Sequence, residues 1–267
     1  NEMLLLKEKY QQVPSLVGII VGEDPSACSY TNSQKKIAHE IGIEYELKLL
    51  PLNISQQDLI AFIEKLNQDK NVHGIMLHKP LPKQLDYHCV SNYILPLKDV
   101  EGMNISNLGK MMLNEMQLVP CTPAAVMEHI KAIPIPLRGK EVVIVGRSEI
   151  VGKPLALLML KESATVTICH TGTQDAGKLV DHVKRADIVV AAVGKAGFVK
   201  GEWLKPGAVV MDVGINQVEN KIVGDVDFES AKEKASFITP VPGGVGPVTV
   251  VMLMKNAIES FKAQIIS

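Results

Sequence analysis

The chain has 267 residues, of which 46 % are hydrophobic, 4 % aromatic and 21 % charged, with 28 Lys and Arg against 29 Asp and Glu. That length fits one large domain or two ordinary ones, and the apolar content suits full-sized aliphatic cores of α/β type rather than an all-β interior. A net charge of −1 without a basic stripe argues against nucleic acid. The lack of a Lys/Arg-rich amphipathic stretch, or of an apolar run near about 18 residues, argues against a membrane partner.

In chain order, Leu16–Val21 is an apolar, β-rich run that reads as a buried strand, stopped by the loop at residues 22–25. Ser29–Ile41 reads as a helix closed by Gly42, and Glu44–Leu50 alternates like a strand. Ser55 opens a helix carrying Leu59, Phe62, Ile63 and Leu66. Gly74–Leu77 is a further strand, stopped by Lys79-Pro80-Leu81-Pro82. Strand, helix, strand, helix, strand with short links implies a parallel sheet with helices on its faces. Lys98–Leu118 reads as an irregular crossing between domains. Thr122 is then expected to cap a helix of about ten residues, with Pro123 in its first turn. A second series follows, with strands at Glu141–Val145, Thr165–Cys169, Ile188–Val193 and Ala208–Val213 and a short one at Phe237–Ile238. Val248–Ile266 reads as a final helix returning to the first domain. The expected division is 1–120, with 248–267 returning, and 121–247.

The cysteines, Cys28, Cys89, Cys121 and Cys169, form no CxxC pair and no zinc spacing to a histidine, so they read as free thiols in a reducing cytosol, with no metal site. No signal peptide is recognisable, and the chain starts at Asn1 rather than Met.

Val142–Val145 runs into Gly146-Arg147-Ser148, and a helix begins near Val151 and Gly152. Strand, glycine turn and helix aim free backbone N–H groups at a phosphate, although the spacing is Gly-x5-Gly rather than the usual dinucleotide fingerprint. An ordinary tight βα turn is the bland alternative. The following strands end in loops at His170-Thr171, at Gly194 and at Gly214-Ile215, where ligands of open α/β sheets bind. No acid follows Cys169 to take a ribose 2′-hydroxyl, whereas Arg147, Ser148 and Thr171 suit a 2′-phosphate, so NADP is expected over NAD. His170 serves equally well as a structural strand-end residue or as a cofactor contact.

Six segments, taken in order, carry a resemblance: Tyr30; Pro80–Pro82; Asp99-Val100-Glu101-Gly102; Pro120–Pro123; Val145–Pro154; and Ile238–Pro247. The chain resembles the bifunctional methylenetetrahydrofolate dehydrogenase/methenyltetrahydrofolate cyclohydrolase family from about Val17 to about Lys255. The resemblance implies an N-terminal α/β folate-site domain and a Rossmann-like NAD(P)-binding domain, with a cleft between Tyr30, His78 and Glu101 at one end and Gly146–Pro154 at the other. It also implies a strand and the start of a helix before Asn1, and a cytoplasmic homodimer working on tetrahydrofolate one-carbon derivatives in one-carbon metabolism and purine biosynthesis. The family oxidises 5,10-methylenetetrahydrofolate to the methenyl cation, and many members hydrolyse that cation to 10-formyltetrahydrofolate. Carried over, the pattern assigns Tyr30, Gln34, His78 and Glu101 to catalysis. Tyr30, Pro242, Gly243 and Gly244 fall to the folate. The resemblance places Arg147 and Ser148 at the adenosine ribose of the cofactor, and the turn and strand ends read above add Gly146, Val151, Gly152, His170, Thr171, Gly194, Gly214 and Ile215 as cofactor residues.

Three of these positions depart from the pattern, which has lysine at Gln34, glutamine at His78 and aspartate at Glu101. Hydride departure needs positioning and tolerance of a cation, but hydrolysis needs a proton acceptor, worth about 10² to 10⁴-fold. Gln34 cannot be one. His78, as an imidazole titrating near neutrality, is the candidate replacement. Lys35 and Lys36 read as surface residues, since neighbours on a helix point about 100° apart. The leading expectation is an NADP-dependent dehydrogenase whose cyclohydrolase step is weak, lost or rerouted. A non-catalytic folate- or nucleotide-binding protein and a dehydrogenase for another small substrate stay open.

Overall fold

A computed structural model describes residues 2–23 and 25–266; Asn1, Ser267 and Asp24, in the expected loop at 22–25, lie outside the described residues. The chain forms two compact units, Asn1–Cys121 with Val250–Ser267, and Thr122–Thr249.

The first unit opens with α1 (Glu2–Tyr10), β1 (Ser15–Val21), α2 (Pro25–Ile41), β2 (Glu44–Leu50), α3 (Gln56–Gln68) and β3 (Gly74–Leu77). The three strands are parallel in the order β2-β1-β3, as short βαβ crossovers demand. Strand periodicity divides their side chains between two faces. Val17, Ile19 and Val21 of β1 and Ile75 and Leu77 of β3 pack with Leu59, Ile63 and Leu66 of α3 into the unit's core. The Ser55 hydroxyl caps α3 by accepting from the Asp58 N–H at 3.1 Å. The opposite face carries Gly18 and His78, which lie together with Tyr45 of β2.

The segment expected to be irregular, Lys98–Leu118, instead contains a helix. After the short α4 (Tyr87–Ser91), α5 spans Ile105–Met112. Asn104 caps it, accepting from the Ser106 N–H at 2.8 Å. The buried Asp99 carboxylate accepts from the Asn104 N–H at 2.6 Å and from Asn107 Nδ2 at 3.0 Å. Ile105, Leu108, Met111 and Met112 recur at helical spacing, but Ile105 and Met112 stay exposed, and it is Asn107 and Met111 that the fold buries.

The second unit takes in most of α6 (Cys121–Lys131), which starts one residue before the expected cap. It continues with β4 (Glu141–Val145), α7 (Gly152–Lys161), β5 (Thr165–Cys169), α8 (Thr171–Asp175), α9 (Leu179–Arg185), β6 (Ile188–Ala191) and β7 (Val209–Asp212). A hairpin of β8 (Asn216–Val218) and β9 (Lys221–Val223), then α10 (Phe228–Lys232) and β10 (Phe237–Ile238), complete it. Five parallel strands lie in the order β10-β7-β6-β4-β5. Strand β6 is two residues shorter than expected, as the Val193 N–H turns to the Asp225 carboxylate, and β7 is one residue shorter at each end. The final helix, α11 (Val245–Ile266), starts three residues earlier than expected. Its C-terminal part does belong to the first unit: Asn256 donates to the carbonyls of Val100 and Val119, each at 2.8 Å, and Ser260 donates to those of His73 and Leu97.

Candidate active site

The polar cluster of the first unit sits where α2 covers the second face of the β2-β1-β3 sheet. Thr31, Gln34 and Ala38 are fully buried, at the i, i+3, i+7 spacing of one helix face. Lys35 and Lys36 are exposed, as neighbours on a helix should be. Gln34 ends in two neutral contacts: the Tyr45 hydroxyl donates to its Oε1 at 2.8 Å, and its Nε2 donates to Met76 Sδ at 3.4 Å. His78 Nε2 lies 3.4 Å from Tyr45 Oη and 3.5 Å from Thr31 Oγ1. Tyr30, one helical turn before Gln34, is a third exposed. Burial pushes its hydroxyl up to about 12, with the Gln34 amide partly offsetting this, so the phenol stays neutral.

His78 is not the near-neutral titrating group expected from its type. Burial holds its imidazole down to about 4, because desolvation penalises the charged form. At neutral pH it is an uncharged hydrogen-bonding group and only a weak base.

Glu101 is placed by a pinned loop. Asp99 anchors the start through Asn104 and Asn107. Gly102 adopts φ +70°, and a Cβ there would lie 2.5 Å from the Val119 carbonyl carbon, so chain and chain meet closely at this glycine. Part of Glu101 is exposed, but its carboxyl is pushed up to about 8, first by burial and then by Asp99, with Lys79 and Tyr87 pulling the other way. The Tyr87 hydroxyl lies 3.5 Å from Glu101 Oε2, and Lys79 Nζ sits 3.6 Å over the Tyr87 ring. Gln34, His78 and Tyr30 are therefore uncharged at neutral pH, and burial shifts Glu101 toward its protonated form.

Sequence reasoning missed Tyr45, Thr31, Met76 and Gly18. One signal was available: Gly18 interrupts an aliphatic run, and a glycine inside a strand often marks a close approach. A Cβ at Gly18 would lie 2.4 Å from Tyr45 Oη and 3.2 Å from His78 Nε2.

In the second unit, β4 ends at Gly146, with φ +128°, where a Cβ would lie 2.1 Å from the Ala192 carbonyl oxygen. A Cβ at Gly152 would lie 2.1 Å from the Gly146 carbonyl oxygen. Both glycines therefore let the β4–α7 turn close tightly under the start of a ten-residue helix. The Ser148 hydroxyl accepts from the Val151 N–H at 3.1 Å. Arg147 is exposed and, among the described residues, makes no ion pair. This turn suits a dinucleotide phosphate: tight backbone, helix N-terminus and an uncommitted guanidinium.

The other strand-end positions carry structural duties. His170 caps α8, with Nδ1 accepting from the Gly172 N–H at 3.2 Å and its own N–H given to Thr173 Oγ1, while Thr171 is exposed. The N–H of Gly194 is taken by the buried Asp225 carboxylate at 2.9 Å, together with those of Val193 and Lys195. Gly214 donates to Asp212 Oδ1 at 3.1 Å, and a Cβ there would strike Asp225, whereas Ile215 is exposed. The N–H nest at the end of β6 is thus filled by the protein's own carboxylate. Pro242 and Gly243 are exposed and Gly244 is buried; Gly243 has φ +101°, with open space where a Cβ would be.

A parallel sheet with a glycine-tightened βα turn makes the second unit that of a dinucleotide-binding α/β enzyme. Residues 120–265 match the family profile described as tetrahydrofolate dehydrogenase/cyclohydrolase, NAD(P)-binding domain, and residues 1–101 match that of the catalytic domain. The chain belongs to the tetrahydrofolate dehydrogenase/cyclohydrolase family. It is similar to the bifunctional protein FolD of Acetivibrio thermocellus, 54 % identical over 253 residues, covering 94 % of this chain and 87 % of the relative. The crystal structure of FolD from Campylobacter jejuni is 41 % identical with a TM-score of 0.94, covering 98 % of this chain and 92 % of that one. The Trypanosoma brucei enzyme, complexed with NADP and an inhibitor, is 38 % identical with a TM-score of 0.94, covering 100 % and 93 %.

Proposed function

We propose that this chain is an NADP-dependent 5,10-methylenetetrahydrofolate dehydrogenase whose cyclohydrolase step is weak, lost or rerouted through His78. The observation that carries the reading is the state of Gln34. It is fully buried, with its amide held by Tyr45 and Met76, so the position where the family has a lysine offers no proton acceptor. The turn of Gly146, Arg147, Ser148, Val151 and Gly152 holds the dinucleotide. When bound, NADP supplies the hydride acceptor.

The chain's own residues do the rest. Tyr30 presents a neutral ring for the folate to stack on, with Pro242, Gly243 and Gly244 assigned to the same ligand. Glu101 meets the N–H groups of the pterin. Its carboxyl holds a proton near neutral pH in the free protein, and donors pairing with it favour ionisation. A methenyl cation then faces one carboxylate among neutral groups, which stabilises the charge left when hydride departs. Hydrolysis asks for more: water adds to the methenyl carbon and gives one proton to a base, then the bond to N5 breaks as the remaining hydroxyl proton passes to N5, leaving the formyl group on N10. His78 is the side chain to which this reading gives the first proton, and a weak base makes the step slow. Family membership supports a homodimer acting in the cytoplasm, in one-carbon metabolism and purine biosynthesis.

The test is purified protein with methylenetetrahydrofolate and NADP, following NADPH and the methenyl chromophore separately. NADPH should form while methenyltetrahydrofolate accumulates, and His78→Gln should abolish residual hydrolysis but spare NADPH production. Absence of NADPH despite NADP binding would overturn the dehydrogenase assignment. Rapid hydrolysis insensitive to His78→Gln would overturn the uncoupling.

A further inference from the structure

We infer that Tyr45 is a positioning residue, which orients Gln34 and fixes His78 as its Nε2–H tautomer, leaving Nδ1 as the imidazole's free lone pair. The inference deepens the reading above, since it concerns the same cluster, but it follows from hydrogen-bond inventory alone.

The chain of constraint starts at a sulfur. Met76 Sδ has no proton to give, so the Gln34 atom 3.4 Å from it must be the amide nitrogen. That sets the amide: Oε1 faces Tyr45, at 2.8 Å from its oxygen. A carbonyl oxygen can only accept, so the single Tyr45 hydroxyl proton is spent on Gln34. Tyr45 Oη then has only lone pairs for its other neighbour, His78 Nε2, 3.4 Å away. Were Nε2 also a lone pair, two acceptors would face each other in a buried site. With hydrogen on Nε2, Tyr45 Oη and Thr31 Oγ1, 3.5 Å away, can both accept. Among the described residues, Nδ1 has no hydrogen-bond partner.

The surrounding structure holds this order in place. Gly18, at the centre of β1, leaves room for both rings, since a Cβ there would lie 2.4 Å from Tyr45 Oη and 3.2 Å from His78 Nε2. Tyr45 lies on β2 and His78 directly follows β3, the two strands on either side of β1, with the glycine between them. Gln34 reaches down from α2. A tyrosine hydroxyl therefore mediates between the two positions that differ from the family pattern, Gln34 and His78. Changing Gln34 also changes which nitrogen of His78 can accept a proton.

Long-range ¹⁵N–¹H correlation of protein labelled in histidine reads the tautomer directly, in the free protein and without turnover. The His78 signals are identified by their loss in His78→Gln. The unmodified protein should show one neutral tautomer with hydrogen on Nε2. Tyr45→Phe should convert this to a mixture, because one of the two acceptors is lost and the Thr31 hydroxyl that remains can either accept from Nε2 or donate to it. Gln34→Met, which removes the carbonyl but keeps the side-chain length, should release the tyrosine proton to Nε2 and move the population to the Nδ1–H form. An Nδ1–H tautomer in the unmodified protein would overturn the inference, even if a variant failed to fold. So would a His78 tautomer unchanged in both folded variants. A protein that makes no NADPH but shows these shifts would refute the dehydrogenase reading and leave this inference standing.

Discussion

Gly18 and Tyr45 meet across the β1–β2 edge so closely that a methyl group on the glycine would lie 2.4 Å from the tyrosine oxygen. The glycine is the space in which the Tyr45–Gln34 hydrogen bond forms. Gly18→Ala should push the ring aside and break that bond. Overpacking of this kind costs about 1–3 kcal/mol, and dehydrogenase activity should fall with it. Thermal unfolding unchanged from the parent protein, with unchanged activity, would show that the sheet absorbs the methyl group.

The Glu101 carboxyl yields a pH dependence with a definite sign. Its folded value of about 8 lies above the ordinary glutamate value of 4.5. The folded state therefore binds more protons between these limits, and its contribution to stability is fully present below about 4.5 and lost as pH rises through 8. The unmodified protein should be less stable at about pH 9 than at about pH 7, and Glu101→Gln should flatten that difference. Urea unfolding across this range, with an equal slope in both proteins, would rule the carboxyl out as the source.

Arg147 should read the cofactor's 2′-phosphate. It is exposed beside the β4–α7 turn, and no acid follows Cys169. Arg147→Ala should weaken NADP binding by about 1.5–3 kcal/mol, the size of a charged hydrogen bond, and leave NAD binding nearly unchanged. Calorimetric titration with the two nucleotides decides this; equal losses for both would remove the assignment.

Asp225 is the hub of the second unit's ligand-side loops. Its carboxylate accepts from the backbone of Val193, Gly194 and Lys195 and from Asn216 Nδ2 at 2.8 Å. Asp225→Asn puts an N–H₂ group against N–H donors. Stability should drop by about 1.5–3 kcal/mol, and NADP affinity should drop as the loop loosens. A change in unfolding free energy within about 0.5 kcal/mol, the range of an ordinary surface substitution, would show the nest to be dispensable.

Local physics made much of this molecule legible in the sequence. Aliphatic runs bounded by Gly and Pro became parallel strands, since a strand buried on both faces needs little beyond continuous apolar residues. Gly146 and Gly152 announced a tight βα turn by composition alone. Gln34 announced that its own position carries no base, because an amide has no usable pKa. The helix within Lys98–Leu118 was missed although Ile105, Leu108, Met111 and Met112 recur at helical spacing: it is only eight residues long, contains Gly109, and is anchored by the Asp99, Asn104 and Asn107 side chains. The N–H groups of Gly194 and Gly214 go to Asp225 and Asp212, residues a sequence does not place beside them. Residue types thus determined which chemistry was available, and tertiary structure decided its state. Burial takes His78 down to about 4 and Glu101 up to about 8. The crossing of β1, β2 and α2 sets Tyr45 between Gln34 and His78. Desolvation and hydrogen-bond partnership depend on neighbours distant along the chain, which is why only the folded structure holds them.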